Sequence, residues 1–266
     1  MRPRINRLKQ KLRAGEIAVG VNVQTASPEI VEMVGAAGYD YAMLDWEHGS
    51  YGFDALVHMI RAAEAFDLTT IVRVPDASPT NIMRVLDAGA MGVVIPQVAA
   101  TAEADAAVRA ARYSDGMGGG NRGTCPSVGG GENMATHQRE FRERRKKERF
   151  IALGFESDDA LDNFDGLAAI PGVDAIFIGA FDWAQSIGCY GEMYHPDNMQ
   201  RIRKLAALSA GRGIQIFATL VSGDAEEAAK DMAMWKELGA RIVNAISDRR
   251  ILTLGLAQRL QAVQPG

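Results

Sequence analysis

The fold is decided by residues 70–95, which read TIVRVPDASPTNIMRVLDAGAMGVVI. Two continuous apolar runs, Thr70–Val74 and Gly92–Ile95, flank a stretch with helical character. Runs without alternating polarity are typical of parallel strands that are covered on both faces. The dipeptide Ser78-Pro79 supplies a helix start, and Gly89 can take the left-handed conformation that closes a helix. The stretch therefore predicts one strand–helix–strand unit of a parallel sheet.

The same unit recurs along the whole chain. Eight apolar runs are candidate strands: Val19–Val23, Tyr41–Leu44, Thr70–Val74, Gly92–Ile95, Phe150–Phe155, Ala175–Ile178, Ile214–Thr219 and Arg241–Ile246. The candidate helices between them are Pro28–Ala37, Phe53–Phe66, Pro79–Ala88, Thr101–Arg112, Asp158–Ile170, Asn198–Ala210 and Ala225–Leu238. Glycine stands at four junctions where a helix ends and a strand begins: Gly38, Gly89, Gly172 and Gly239.

Eight such units without a break in composition predict a closed (β/α)8 TIM barrel of the α/β class. We find no linker and expect a single domain over residues 1–266, with the basic N-terminal stretch forming a short helix that closes the bottom of the barrel. An open, doubly wound sheet is the alternative. It is disfavoured because no Gly-x-Gly-x-x-Gly turn follows the first strand.

The composition narrows the functional classes. The chain is 47% hydrophobic and 23% charged with a formal net charge of −4, so the total suggests no polyanionic partner. The two cysteines indicate a reducing compartment, and no apolar run approaches the ~20 residues that span a bilayer. The basic run Arg139–Arg149 is better explained as a solvated helix than as a nucleic-acid patch, because Glu140–Arg144 and Glu143–Lys147 have favourable i,i+4 spacing. We therefore expect a cytoplasmic protein with no nucleic-acid or membrane partner.

Carboxylates follow two neighbouring candidate strands at the end of the barrel where active sites form. Glu156 comes directly after the fifth strand, and Asp182 comes shortly after the sixth. Hard carboxylate oxygens without a histidine or cysteine ligand suit Mg²⁺ or Mn²⁺. Two protein ligands would leave positions free for water and a chelating substrate. The alternative, that both carboxylates only cap the following helices, stays open.

A candidate base and a candidate cation lie at the same end of the barrel. After the second strand, His48 can act as a general base near neutral pH, with Asp45 orienting its ring. On the third strand, Arg73 can stabilise an enolate oxygen or a carboxylate. The alternatives are a purely structural histidine and a salt bridge between Arg73 and Glu47. All seven lysines lie outside the candidate strands, which disfavours a Schiff-base mechanism.

The longest irregular stretch, Ser114–Thr136, is rich in glycine and contains Arg122. Its backbone amides could bind an anion, or the stretch could be a lid without a ligand. We expect Arg122 to bind a carboxylate or phosphate on a substrate, and the alternative is that it anchors the loop to the barrel.

These residues and their neighbours resemble the HpcH/HpaI family of class II pyruvate aldolases, from about Gly15 to the C-terminal helix. The stretches that carry the resemblance are Ser27-Pro-Glu-Ile-Val-Glu, Gly38-Tyr-Asp, Leu44-Asp-Trp-Glu-His-Gly49, Val72-Arg-Val-Pro75, Leu86-Asp-Ala-Gly-Ala90, Gly92-Val-Val-Ile-Pro96 and Gly172-Val-Asp174. The chain departs from the family pattern on its first strand, where Asn22 replaces a tryptophan, and before the metal glutamate, where Gly154 replaces a glutamine.

The resemblance implies a role for each of these residues. Glu156 and Asp182 would bind a divalent metal (Mg, Mn or Co), His48 and Asp45 would form the base dyad, and Arg73 would hold the keto oxygen of pyruvate. Backbone amides around Phe181 and Asp182, with Gly179 nearby, would receive the pyruvate carboxylate.

The implied reaction is the reversible addition of a pyruvate enolate to an aldehyde, so the partners would be a small 2-oxo acid and an aldehyde. The resemblance also implies a homohexamer in which the C-terminal helix packs on a neighbouring subunit. A Claisen-type condensing enzyme or lyase is the alternative within the superfamily. A non-catalytic barrel that binds a 2-oxo acid is the alternative from another class.

Overall fold

The computed structural model describes residues 4–114, 119–125, 143 and 146–264 of the chain. Eight parallel strands close into a barrel in chain order, and the last strand pairs with the first. The strands are β1 Ala18–Val23, β2 Tyr41–Asp45, β3 Thr69–Arg73, β4 Gly92–Ile95, β5 Phe150–Phe155, β6 Ala175–Ile178, β7 Gln215–Thr219 and β8 Ala240–Ser247. The predicted TIM barrel is confirmed.

Helices follow the strands around the outside of the barrel. Those with described bounds are α1 Arg7–Arg13, α2 Pro28–Ala36, α3 Phe53–Ala65, α4 Pro79–Asp87, α5 Thr101–Ala110, α6 Asp158–Asp162, α7 Phe164–Ala168, α8 Ala180–Ser186, α9 Pro196–Arg212, α10 Ala225–Glu237 and α11 Asp248–Val263. No helix in these described ranges is long and apolar enough to cross a membrane.

Two helical segments differ from the sequence prediction. The stretch expected as one helix over Asp158–Ile170 is split at Asn163, whose φ of −91° and ψ of 11° leave the helical range. The Asn163 side chain donates a hydrogen bond to the Ala99 carbonyl at 3.0 Å and so joins this break to the loop after β4. Helix α8 was not expected, because seven residues are too few to show a clear apolar period.

The four junction glycines behave as their positions predict. Gly38, Gly89, Gly172 and Gly239 have φ values of 89°, 115°, 99° and 85°. This left-handed backbone is strained for other residues, so glycine lets each helix end directly before its strand. Most of the basic run Arg139–Arg149 and of the stretch Ser114–Thr136 lies outside the described residues.

The barrel interior is a separate apolar cluster built largely from aromatic rings. Phe217 contacts three other rings edge-on, with centroid distances of 5.8 Å to Tyr41, 6.4 Å to Phe150 and 5.1 Å to Phe177. Leu8 of α1 is fully buried in the same cluster, so the N-terminal helix closes the barrel at the N-terminal ends of the strands, as expected. The other end stays open for a site.

Truncating the central ring should destabilise the barrel. Phe217 is fully buried, so Phe217→Ala should lower the free energy of unfolding by about 3–5 kcal/mol, as the side chain leaves a cavity among three rings. Urea unfolding followed by circular dichroism measures this change. The control is Tyr190→Ala, since Tyr190 is 76% exposed and its loss should stay within about 0.5 kcal/mol. Equal effects of the two variants would contradict this account of the interior.

Candidate active site

A cavity of about 650 Å³ opens at the C-terminal ends of the strands. One part of its lining consists of His48, Arg73, Gly179, Phe181 and Asp182. The strand ends thus bring together side chains that are up to 134 positions apart in the sequence, from His48 to Asp182. Most of the residues predicted for the site therefore share one cavity.

The ion pair between Arg73 and Asp45 is the most buried polar contact of this site. Nε of Arg73 donates to Oδ1 of Asp45 at 2.9 Å, and Nη2 donates to Oδ2 at 2.6 Å. Asp45 is fully buried and Arg73 is 6% exposed. The two residues are register partners at the ends of β2 and β3, so strand pairing sets their bidentate geometry.

Further donors surround the Asp45 carboxylate. Nε2 of Gln24 donates to Oδ2 at 2.9 Å, Nδ2 of Asn22 lies 3.4 Å from the same oxygen, and the backbone N–H of His48 donates to Oδ1 at 3.2 Å. Burial on its own raises the pKa of Asp45, but Arg73 and these donors outweigh it and hold the pKa below its usual range. Asp45 is therefore a carboxylate near neutral pH.

The imidazole of His48 has a different neighbour from the one predicted. Its side chain is 52% exposed, and Nε2 lies 3.7 Å from Oε2 of Glu47. Asp45 bonds the backbone of His48 rather than its ring. The expectation that Asp45 orients the imidazole ring is therefore corrected. The Asp45 carboxylate is paired with Arg73, and the carboxylate beside the ring is that of Glu47.

Glu47 is the second carboxylate next to Arg73. Oε2 of Glu47 lies 3.1 Å from Nη1 of Arg73, at ion-pair distance but without hydrogen-bond alignment. Burial raises the pKa of Glu47, against the opposing effect of Arg73 and His48. The salt bridge considered as an alternative for Arg73 thus forms, and it coexists with the pair to Asp45.

Glu156, directly after β5, has a buried carboxyl oxygen without a hydrogen-bond partner in the described part of the chain. The residue is 8% exposed, and its buried Oε1 has no hydrogen-bond partner among the described residues. Burial raises the pKa of Glu156 to about 7, and the negative charges of Asp182 and Glu47 act in the same direction. Both features are expected of a carboxylate whose natural partner is a cation.

Two glycines leave the space that the Glu156 side chain occupies. A Cβ on Gly179 would stand 2.3 Å from Cγ of Glu156, and a Cβ on Gly154 would stand 3.0 Å from Oε1. Gly154 is the position where the family pattern has a glutamine. The same added Cβ would stand 3.0 Å from Cα of Pro96, so in this chain a side chain at position 154 would crowd both the Glu156 carboxyl group and the backbone after β4.

Gln97 was missed by the sequence reasoning. Its backbone is in the left-handed region with φ of 52°, which is uncommon for a residue other than glycine. Nε2 of Gln97 donates to Oε1 of Glu47 at 3.2 Å, and the Gln97 backbone amide lowers the pKa of Glu156, against the effect of burial. A strained residue beside two site carboxylates fits the tendency of strain to occur at functional sites. No sequence motif marks it.

The donor set of Glu156 and Asp182 fits a divalent metal. The capping alternative finds no support, because Ser157 caps α6 and the described contacts include no side-chain cap on α8. Two carboxylates beside an open cavity supply hard oxygen ligands and leave coordination positions for water and substrate. The buried, unpartnered Oε1 of Glu156 is the atom that such an ion would satisfy.

Arg122 is not in this cavity. Its side chain is 2% exposed, with Nη2 paired to Asp87 at the end of α4 and the guanidinium 4.6 Å from the ring of Tyr113. The α5–β5 connection that carries Arg122 joins the barrel at the N-terminal ends of the strands, whereas the cavity lies at their C-terminal ends. The expected contact of Arg122 with a substrate is therefore corrected to an anchoring role within its own chain.

Lysine is absent from the site. All seven lysines lie in the described part of the chain, and none of them lines the cavity. An imine mechanism would need a lysine in this cavity.

The fold and the cavity define a TIM-barrel protein with a carboxylate-rich polar site. Residues 19–247 match the family described as HpcH/HpaI aldolase/citrate lyase, and the chain belongs to this family. It is 34% identical to the 5-keto-4-deoxy-D-glucarate aldolase of Salmonella paratyphi A over 208 residues. The matched region is 78% of this chain and 79% of the Salmonella protein.

Two solved structures are similar over almost the whole chain. The family protein from Burkholderia cenocepacia has a TM-score of 0.86 and 29% identity, covering 98% of this chain and 100% of that chain. The citrate synthase SbnG has a TM-score of 0.81 and 26% identity, covering 96% of this chain and 98% of that chain. Both likenesses agree with the TIM-barrel fold, and the Burkholderia protein is described as a member of the HpcH/HpaI aldolase/citrate lyase family.

Filling the space beside Glu156 should weaken metal binding. In Gly179→Ala the new methyl group would collide with Cγ of Glu156, so the carboxylate must move and Mn²⁺ affinity should fall by about 10–100-fold. Calorimetric titration of the metal-free protein measures this. Gly255→Ala is the matched control, because a Cβ there meets nothing within 4 Å. An unchanged affinity in folded Gly179→Ala would show that Glu156 is not a ligand.

Proposed function

We propose that this protein is a divalent-metal-dependent pyruvate aldolase that reversibly adds a pyruvate-type enolate to an aldehyde. One observation carries the proposal: the buried, unpartnered oxygen of Glu156 belongs to a carboxyl group that interacts electrostatically with Asp182 and Arg73, and both of these residues line the cavity. A cation site beside a buried arginine is what stabilisation of an enolate oxygen requires. Membership of an aldolase and lyase family supports it further.

The 2-oxo acid would be held by groups on both sides of the cavity. Glu156 and Asp182 would hold the metal, which supplies a Lewis acid for the 2-oxo group when bound. Arg73 uses two of its five N–H groups on Asp45 and directs Nη1 towards Glu47, so it keeps N–H groups for the keto oxygen. By resemblance to the family, the backbone around Gly179, Phe181 and Asp182 would receive the carboxylate.

His48 would move the proton at the methyl carbon of pyruvate. Its ring reaches the cavity and is half exposed, so it can take up a proton directly or through one water molecule. Glu47 beside the ring would stabilise the protonated imidazole. Asp45 would act at a distance, by fixing the backbone of His48 and the orientation of Arg73.

We also propose a homo-oligomer, and a hexamer by family resemblance. Helix α11 carries five large apolar side chains that are 48–71% exposed in the single chain: Ile251, Leu252, Leu256, Leu260 and Val263. Monomeric proteins rarely expose so much apolar surface on one helix, so a second subunit is the expected cover.

Metal removal should abolish activity reversibly. EDTA should stop pyruvate-dependent proton exchange and aldol turnover, and Mg²⁺, Mn²⁺ or Co²⁺ should restore both, because two carboxylates hold an ion only moderately tightly. Exchange is followed by NMR in D₂O, with heat-inactivated protein as the blank. Full exchange by a rigorously metal-free preparation would rule out the class II mechanism.

Replacement of the base and of the buried cation should slow proton exchange. His48→Ala should reduce the rate by about 10²–10⁴-fold, the usual contribution of a general base. Arg73→Lys should also be damaging, because an ammonium group cannot reproduce the bidentate pair with Asp45.

The matched control for His48 is His58→Ala, an exposed histidine on α3 that lies outside the cavity. Circular dichroism and metal titration confirm that each variant is folded and loaded. Wild-type exchange rates in both His48→Ala and Arg73→Lys would place the chemistry elsewhere.

A further inference from the structure

A cluster of three potential metal ligands lies around the turn between α8 and α9, apart from the carboxylates of the cavity. It consists of Cys189, His195 and Asp197. The cysteine sulfur, a ring nitrogen of the histidine and a carboxylate oxygen of the aspartate all lie within 4.8 Å of one another. None of the three residues lines the cavity, so the cluster is a separate group of side chains.

Backbone hydrogen bonds hold the turn that carries these side chains. The N–H of Cys189 donates to the Ala184 carbonyl at 2.8 Å and so ties the turn to the last residues of α8. The N–H of Glu192 donates to the Cys189 carbonyl at 3.1 Å, and the N–H of His195 donates to the Glu192 carbonyl at 2.9 Å. The backbone is therefore fixed before an ion binds, and less freedom is lost on binding.

The distance between His195 and Asp197 is close to that of two ligands on one ion. Nδ1 of His195 lies 3.8 Å from Oδ2 of Asp197. Bond lengths of about 2.0–2.3 Å put the ligands of a tetrahedral zinc ion about 3.3–3.6 Å apart. Small side-chain rotations would close the difference. The two side chains are 33% and 67% exposed, so an ion can reach them from solvent.

The nearby positive charge of Arg201 is directed away from the Asp197 carboxylate. Its Nε and Nη2 donate to the two carboxylate oxygens of Asp158 at 2.7 Å and 3.0 Å. Its Nη1 donates to the Asp197 backbone carbonyl at 3.0 Å. In the described part of the chain, His195 is the one ion-pair partner of the Asp197 carboxylate. The negative charge of this carboxylate therefore stays available to a cation.

The types of ligand atom select the ion. Thiolate sulfur and imidazole nitrogen bind Zn²⁺ and related transition metals well, whereas Mg²⁺ prefers oxygen ligands. Cys189 is a free cysteine and only partly buried, so its sulfur is available. The cluster differs in this respect from the pair of Glu156 and Asp182, which offers oxygen ligands alone.

We propose that Cys189, His195 and Asp197 form a second metal site, which binds Zn²⁺ or, in its place, Co²⁺. Three protein ligands leave the fourth tetrahedral position for water. On binding, the thiol of Cys189 releases its proton to solvent, since the thiolate is the ligand. The ion joins the end of α8 to the start of α9 and stabilises this segment. The site does not depend on the proposed aldolase function.

The test is a titration of the reduced, metal-free protein with Co²⁺, followed by absorption spectroscopy. A thiolate ligand gives Co²⁺ a charge-transfer band in the near ultraviolet, which oxygen ligands cannot give. The wild type should show this band, and Zn²⁺ should abolish it by displacement. Cys189→Ala should lack the band. His195→Ala and Asp197→Ala should each weaken Co²⁺ binding by about 100-fold, more than the loss of an outer-shell partner costs.

Three matched variants are the controls. Cys125→Ala removes the other cysteine, which is exposed, and His58→Ala removes an exposed histidine on α3. Glu156→Gln removes a carboxylate of the cavity. All three should keep the band with unchanged Co²⁺ affinity. Absence of the band in the wild type, its persistence in Cys189→Ala or its loss in Cys125→Ala would overturn the proposed site.

Thermal unfolding gives a second measurement that does not depend on absorption. With Zn²⁺ at a hundredfold excess over its Kd, the wild type should gain about 5–10 °C in Tm relative to Cys189→Ala. Circular dichroism shows whether each variant is folded, and Cys189→Ser replaces Cys189→Ala if the latter is not. Equal Zn²⁺-dependent shifts in the wild type and the cysteine variant would also contradict the proposal.

Discussion

The buried pair of Arg73 and Asp45 is the interaction on which the rest of the site depends. The two side chains face each other because β2 and β3 pair them in register at their last residues. Asp45 is fully enclosed, so removal of Arg73 would leave an uncompensated charge in the interior, at a cost of about 3–5 kcal/mol. Asp45 also fixes the backbone of His48, and Arg73 directs Nη1 at Glu47. One ion pair thus sets the positions of the base, the cation and a third carboxylate.

Negative charge is the second constraint. Repulsion acts among the carboxylates of Glu47, Glu156 and Asp182, and the positive charge of Arg73 offsets this repulsion only in part. Two features of the backbone accommodate these carboxylates. Gln97 adopts a left-handed conformation, and the glycines at positions 154 and 179 leave room for the Glu156 side chain. A site that keeps carboxylates this close is pre-organised for a cation, which in the proposed function is the divalent metal.

The two ends of the barrel differ in how they are packed: one end is closed and the other is open to the cavity. At the N-terminal ends of the strands, Leu8 of α1 fills the space below the aromatic interior and excludes water. At the C-terminal ends the cavity is lined by polar residues such as His48, Arg73 and Asp182 together with apolar ones, and Asp248 holds the start of α11 against the loop after β1. Helix α11 therefore contributes a wall of the cavity on one face and exposes an apolar stripe on another.

The sequence by itself determined the barrel and most of the site. Continuous apolar runs and glycines at helix ends are local signals, and they placed all eight strands and the residues at the strand ends, among them His48, Arg73, Glu156 and Asp182. Only the tertiary structure decided which of these groups touch. In the folded chain Asp45 pairs with Arg73, and Glu47 lies beside the ring of His48. Gln97 lies near Glu156. Arg122 pairs with Asp87, whereas Arg250 lines the cavity. The physical reason is that strand register, backbone strain and the end of the barrel at which a loop lies depend on long-range packing, which no local pattern of residues encodes.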